Sequence, residues 1–360
     1  MKVVIAPDSF KGSLPAVSVA AAIAHGWRSQ RPHDEIVQIP LADGGEGSID
    51  TLHRVRGGTI INTRAQNPIG DEIDTQWLLL DDGTAIIEMA KISGIQTFSP
   101  PQPMRAHTFG LGQLIREADN HPATKRISIC LGGSGTNDAG MGACAALGAH
   151  FFDAQNASVF PTPENLHTIT RVTPPPALRN PIKTLSDVTN PLFGPTGSAF
   201  TYAHQKGATD SEITEIDNAH RHLATIIGGN PDAPGAGAAG GCGYGFATLL
   251  GAAITPGATT MIGQSGLADE ITTADLLITG EGRFDAQSLN GKLLSHLMAI
   301  AASQKLPIAA IVGQYNPCDH SLTTIKALTE IAPSLDDALA NPTQYLIQAG
   351  NELALDFQSR

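Results

Sequence analysis

MKVVIAPDSFKGSLPAVSVAAAIAHGWRSQRPHDEIVQI, residues Met1 to Ile39, holds a strand, a helix and a second strand in immediate succession. Lys2 to Ala6 is a short β-branched run that favours an extended backbone. Pro7 to Ser13 is a polar turn, and Ser13 then caps a helix with Pro15 in its first turn. Val17, Ala20, Ala21, Ala24 and Trp27 fall on one face of that helix, which ends near Arg28 to Pro32. Glu35 to Ile39 is the second strand. This is the βαβ pattern of a parallel sheet, whose ligands bind outside the carboxyl ends of the strands. Those ends carry Pro7 to Ser13 and Leu41 to Gly47, so Asp8, Ser9, Lys11, Asp43 and Glu46 become candidate site residues.

The same texture returns late in the chain. Asp275 to Thr279 and Ile308 to Val312 read as buried parallel strands, separated by a helix from about Asn290 to Ser303. Between the two ends the strands are shorter (Gln76 to Leu80, Ala85 to Met89, Arg126 to Cys130), and Pro-rich loops occur at Pro100 to Pro103 and Pro174 to Pro176. The expected fold class is α/β with two domains. Residues 1–70 and 281–360 form a discontinuous flavodoxin- or Rossmann-like domain with a parallel sheet, residues 71–280 an inserted mixed α/β domain, and the site lies in the cleft between them. A length of 360 residues suits two domains.

Composition narrows the function. A formal charge of -12 argues against broad binding to nucleic acid or anionic membranes. No apolar run reaches the length of a membrane-spanning helix, and Asp8 comes too early for a signal peptide, so a cytoplasmic location is expected. Cys130, Cys144, Cys242 and Cys318 form no zinc pattern and read as core thiols. Seventeen of the 38 glycines fall in four short windows, Gly44 to Gly47, Gly132 to Gly142, Gly235 to Gly245 and Gly280 to Gly291. That clustering is an excess that needs an explanation.

The strand Arg126 to Cys130 delivers LGGSGTND, Leu131 to Asp138, to a helix expected from Ala139 to about Leu147. Such a turn offers free N–H groups and a helix dipole to an anion; a tight turn with Ser134 or Asp138 as a simple cap is the alternative. PGAGAAGG, Pro234 to Gly241, has G-x-G-x-x-G spacing but no preceding strand and no acidic residue about 20 positions later, which disfavours a dehydrogenase. It can still open the helix Ala238 to Leu250 as a nucleotide-contacting turn, or pack closely through small residues. Ile278 to Lys292 brings Glu281, Arg283, Asp285 and Lys292 to a strand end, a set suited to magnesium, phosphate and proton chemistry. Asp187, Asn190, Gln205 and Lys206 add polar groups in two further turns.

Taken together, the segments APDSFKGSL (6–14), PLADGGEG (40–47), IEMAKISGI (87–95), LGGSGTNDAGMG (131–142), DVTNPLFGPTG (187–197), QKGAT (205–209), PGAGAAGGCGYG (234–245) and ITGEGRFDAQSLNGK (278–292) resemble the class I glycerate kinases over nearly the whole chain. The resemblance implies ATP- and Mg2+-dependent phosphorylation of D-glycerate, with 2-phosphoglycerate favoured over 3-phosphoglycerate. Two departures occur: Leu111 and Gln113 stand where a hydroxyl and a carboxylate are expected, and Gly135 and Ala139 exchange an alanine and a glycine. In the mechanism this suggests, the backbone of Gly132 and Gly133, Ser134, Gly235 and Gly237 hold nucleotide phosphates. Asp187 or Asp285 accepts the hydroxyl proton, Lys11 and Arg283 neutralise carboxylate or phosphoryl charge, and Asp43 with Glu281 supports magnesium. Asp8, Ser9, Thr136, Asn137, Asn190, Lys206 and Lys292 complete the substrate and nucleotide contacts. The expected partners are small molecules, with a homodimer as a compatible assembly. A non-catalytic nucleotide or sugar-acid sensor is the rival reading.

Overall fold

A computed structural model of the chain describes residues 1–286, 288–289 and 292–357. Within these residues the strands are β1 (Lys2–Ile5), β2 (Glu35–Gln38), β3 (Thr59–Gln66), β4 (Glu72–Leu79), β5 (Thr84–Glu88), β6 (Arg126–Cys130), β7 (His150–Phe152), β8 (Arg171–Thr173), β9 (Ile182–Leu185), β10 (Ala253–Thr255), β11 (Leu276–Phe284), β12 (Ile308–Tyr315) and β13 (Thr324–Ala327). The chain divides into two compact units, residues 1–43, 50–57 and 258–360, and residues 44–49 and 58–257.

The first unit is built on a five-stranded parallel sheet in the order β13-β12-β11-β1-β2. Its strands are apolar on both faces. Val3 and Ile5 join Leu276, Ile278, Ala309 and Ile311 in one core, while Val4, Leu277, Ile308, Ala310 and Val312 turn to the other. Helices Ala16–Gln30 and Pro342–Asp356 cover the first face, and Leu293–Gln304 the second. This alternation with both sides covered is what a parallel sheet requires.

Some local expectations change. Pro15 occupies the helix N-cap without a side-chain cap, and the Ser13 hydroxyl donates instead to Leu339 O at 3.4 Å. The buried helix face carries Val19, Ile23 and Trp27; Ala21, two positions on from Val19, falls outside that face and is exposed. β11 continues past Thr279 to Phe284, so Glu281 and Arg283 lie within a strand, opposite Val312 and Gln314. The expected boundary at 280/281 would cut this strand, and β3 to β4 pairing places residues 58–70 in the second unit. The expected helix start at Asn290, and Gly291 of the same motif, lie outside the described residues.

The second unit holds a six-stranded mixed sheet, β10-β9-β6-β5-β4-β3, parallel from β10 to β5 and antiparallel from there to β3. β7 and β8 form a separate hairpin. Trp77 lies fully buried in the core of this unit, as Trp27 does in the first. Gly110 and Gly112 in the helix Phe109–Asn120 abut Gln66 and Ala143 so closely that a Cβ would strike their carbonyl oxygens. Leu111 belongs to the core, and the Gln113 side chain accepts from Gln66 N–H at 2.9 Å, so the segment that departs from the family pattern is committed to packing.

Candidate functional site

The predicted site residues fall into two constellations, one on each unit. On the first unit, pairing of β1 with β11 runs on past the strand end: Ala6 N–H donates to Ile278 O at 2.7 Å and Asp8 N–H to Gly280 O at 2.8 Å. This lays the loop Pro7 to Ser13 along the carboxyl half of β11. Asp8 Oδ1 accepts the Ser9 N–H at 2.6 Å, and Lys11 Nζ pairs with Asp43 Oδ2 at 3.1 Å. Burial pushes the Asp8 carboxyl up to about 7, reinforced by the negative charges of Asp43 and Glu281 and opposed by Lys11. Glu281 is also raised, first by burial and then by Asp285, against hydrogen bonding from Ser288 and the charges of Lys292 and Lys11. Arg283 Nε lies 3.4 Å from Asp285 Oδ2. Asp8, Lys11, Asp43, Glu281 and Lys292 therefore act on one another electrostatically.

Two facts bear on magnesium. Glu281 Oε1 is buried with no hydrogen-bond partner among the described residues, and it belongs to a set of mutually repelling carboxylates that a cation would relieve. Yet no group of three or more His, Cys, Asp or Glu among the described residues could hold a metal ion by itself. One or two carboxylates that need phosphate oxygens and water to complete the shell is the usual donor set for Mg2+, so the residues fit it in that form.

On the second unit β6 ends at Cys130 and the glycine loop follows. Gly133 adopts a left-handed φ of 77°. The segment after Ala90–Ser93 braces the loop: Ile95 N–H donates to Gly133 O at 3.2 Å, and Gly135 N–H to Ser93 O at 2.8 Å. Among the described residues the N–H groups of Gly133 and Ser134 have no protein acceptor. Both residues line a pocket of about 310 Å³, whose walls also carry Ile95, Val188, Tyr202 and Lys206. One end thus offers free donors and the remainder is largely apolar. Tyr202 is fixed by its hydroxyl donating to Asn190 Oδ1 at 2.7 Å, and Asn190 Nδ2 donates to Thr196 O at 2.7 Å.

Other predicted residues have different surroundings. Thr136 and Asn137 are fully buried and do not line this pocket, and Asp187 Oδ1 accepts Gly257 N–H at 2.8 Å. Gly237 gives its N–H to Asn190 O at 2.9 Å and is pressed against the Pro191 backbone, while Gly235 lies against the Ile254 side chain, which favours the close-packing reading of this second glycine loop. Ala239, Gly240 and Gly241 all have positive φ, so the helix Ala238–Leu250 is broken at its start. Gly240 is seated on Thr136 and Asn137, and Gly245 on Ala139. Ala139 and Gly140 are left-handed too, which delays the following helix to Met141–Ala146. Asp138, expected at most as a cap, is a buried hub: its Oδ2 accepts from Thr108 N–H and Oγ1 at 2.7 Å each and from Gly142 N–H at 3.0 Å. Sequence reasoning missed Tyr202, Ile95 and Val188, since an isolated aromatic or aliphatic residue carries no motif.

The comparisons with known proteins agree on one family. The family model described as "Glycerate kinase family" matches residues 3–358. The chain is 34% identical over 371 residues to the glycerate 2-kinase of Escherichia coli (strain K12), covering 98% of this chain and 97% of that protein. It is 35% identical over 371 residues to the glycerate kinase of Haemophilus influenzae, with 98% of each covered. The crystal structure of a proposed glycerate kinase 2 from Salmonella typhimurium LT2 superposes with a TM-score of 0.84 at 34% identity, over 100% of this chain and 98% of that one.

Proposed function

The chain belongs to the glycerate kinase family, and from that premise we propose that it transfers the γ-phosphoryl group of ATP to the 2-hydroxyl of D-glycerate, releasing 2-phosphoglycerate and ADP. The observation that carries the donor side is the pocket whose glycine-loop end presents the N–H groups of Gly133 and Ser134 without protein acceptors. Oriented N–H groups in an enclosed site stabilise phosphate charge at little reorganisation cost. The apolar wall of Ile95, Val188 and Tyr202 suits a nucleoside base.

The charged residues supply the acceptor side. Lys11 and Arg283 neutralise the glycerate carboxylate or the migrating phosphoryl group, and Asp187 or Asp285 takes the hydroxyl proton. Asp43 and Glu281 would hold Mg2+, which when bound neutralises phosphate charge. A cytoplasmic location is part of the reading, supported by four cysteines that are all free thiols. No helix among the described residues is long and apolar enough to cross a membrane.

The test is turnover of ATP with D-glycerate and Mg2+, followed by phosphorus NMR of the product. The expected result is glycerate-dependent ADP formation with the phosphate on carbon 2. A nucleotide-binding chain with no turnover above background would leave the sensor reading in its place.

A further inference from the structure

Lys206 poses a question that the reaction leaves open. It closes the 3-10 turn His204–Lys206 and is only 2% exposed. Its Nζ donates to Thr136 O at 2.7 Å and to Asn137 Oδ1 at 3.4 Å. Both partners are neutral. An ammonium withdrawn from water costs several kcal/mol unless it is paired, and apolar replacements are often as stable or more so. Stability therefore gives no reason for a cation here.

The partners suggest another reason. Thr136 and Asn137 form the buried half of the glycine loop whose other half, Gly133 and Ser134, lines the pocket. His220 Nε2 lies 2.9 Å from Asn137 O, so the carbonyls of Thr136 and Asn137 are both drawn into the interior. In a planar trans peptide the C=O of one residue and the N–H of the next point in opposite directions, so the anchored Thr136 and Asn137 carbonyls set the N–H groups of Asn137 and Asp138 and with them the far end of the loop. The Gly133 carbonyl, taken by Ile95 N–H, fixes Ser134 N–H in the same way.

We propose that Lys206 is a positioning residue: by clamping the Thr136 carbonyl and the Asn137 carboxamide from within, it holds the glycine loop in the shape that presents Gly133 and Ser134 to an oligophosphate. The inference rests on reading that loop as the phosphate site. The groups acting on Lys206 are Asp138 from the loop and Cys242 from the segment after the second glycine turn. His220 shares Asn137 with it, and Tyr202 lies on the preceding turn. Burial keeps His220 below its ordinary value and pushes Cys242 and Tyr202 above theirs. Burial brings Lys206 itself down to about 8, opposed by Cys242 and Asp138.

The experiment uses the full chain, K206M and K206R, with inorganic tripolyphosphate as probe in titration calorimetry from pH 6.5 to 9.5, alongside thermal midpoints and D-glycerate kinetics. K206M should weaken tripolyphosphate binding at pH 7 by about tenfold or more, the scale of one hydrogen bond from a charged donor. K206R, which keeps the cation, should stay within about threefold, and the wild-type loss of affinity above about pH 8 should vanish in it. A merely structural lysine would show the opposite pH trend. Between about 8 and 10.5 the unfolded chain binds a proton that the folded chain lacks, so this group makes stability rise with pH while binding falls. Should K206M fail to fold, K206R and the wild-type profile decide. Equal binding by wild type and K206M, or an alkaline loss that persists in K206R, overturns the clamp. Wild-type binding of tripolyphosphate without glycerate turnover overturns the kinase reading and leaves the clamp standing.

Discussion

Asp8 is the residue at which the crowding of charge on the first unit is most exposed to test. Its carboxyl sits at about 7 against an ordinary 3.8, so between these values the folded chain retains a proton that the unfolded chain has lost. Stability therefore falls as pH rises through that window and is unaffected by this group below it. Asp8→Asn should match the wild-type thermal midpoint near pH 4 and exceed it increasingly toward pH 7 and 8; a constant offset at every pH would refute the assignment. For the reaction itself, Lys11→Ala and Asp187→Asn should each lower kcat by roughly 10² in folded protein, the cost of losing one group that acts on the transition state. Near-normal turnover in both would remove these residues from the chemistry. Lys11, Asp43 and Glu281 were legible because charges at strand-end turns are conspicuous in a chain where only 16% of residues are charged. Asp138 was not, since a sequence cannot say whether a carboxylate faces water or four buried donors.

At the level of elements, glycine serves two purposes that look alike in sequence. The first loop leaves N–H groups open, whereas the second is spent on contact between backbones. Gly240→Ala would force a Cβ into the Thr136 carbonyl at a φ of 67°, and Gly26→Ala would push one into the Ile347 carbonyl where two helices of the first unit cross. Each should cost about 1–3 kcal/mol or more of stability, read from denaturant midpoints. Midpoints equal to wild type would show that the backbones give way easily. β1 and β12 could be read because their apolar runs are continuous, and β6 because isoleucines flank its Ser128 ahead of a glycine turn. β3, with its mixture of Thr, Asn, Arg and Gln, could not, because it forms the antiparallel edge of its sheet and is held by pairing with β4. The break in the helix Ala238–Leu250 was equally hidden: alanine and glycine permit a helix there, and only packing against Thr136 and Ala139 enforces left-handed backbone.

The whole molecule carries its two larger sheets on interleaved stretches of chain, and the return of residues 258–357 to the first sheet was visible from buried strands at both ends. Where the chain crosses was not visible, because a crossing depends on which distant strand β11 pairs with and no local pattern encodes that. The net charge of -12 likewise conceals a local arrangement in which lysines sit among the acids. The placement of the two tryptophans, one enclosed in each unit, gives the protein one tryptophan reporter per unit. With Trp77→Phe, emission reports on the first unit alone, and with Trp27→Phe on the second. In these backgrounds Gly26→Ala should displace the denaturation curve seen by Trp27 and Gly240→Ala the one seen by Trp77. Equal displacement of both curves by either glycine substitution would mean that the cores melt as one. If the curves separate, ordinary emission spectroscopy can follow each unit independently through denaturation or ligand binding.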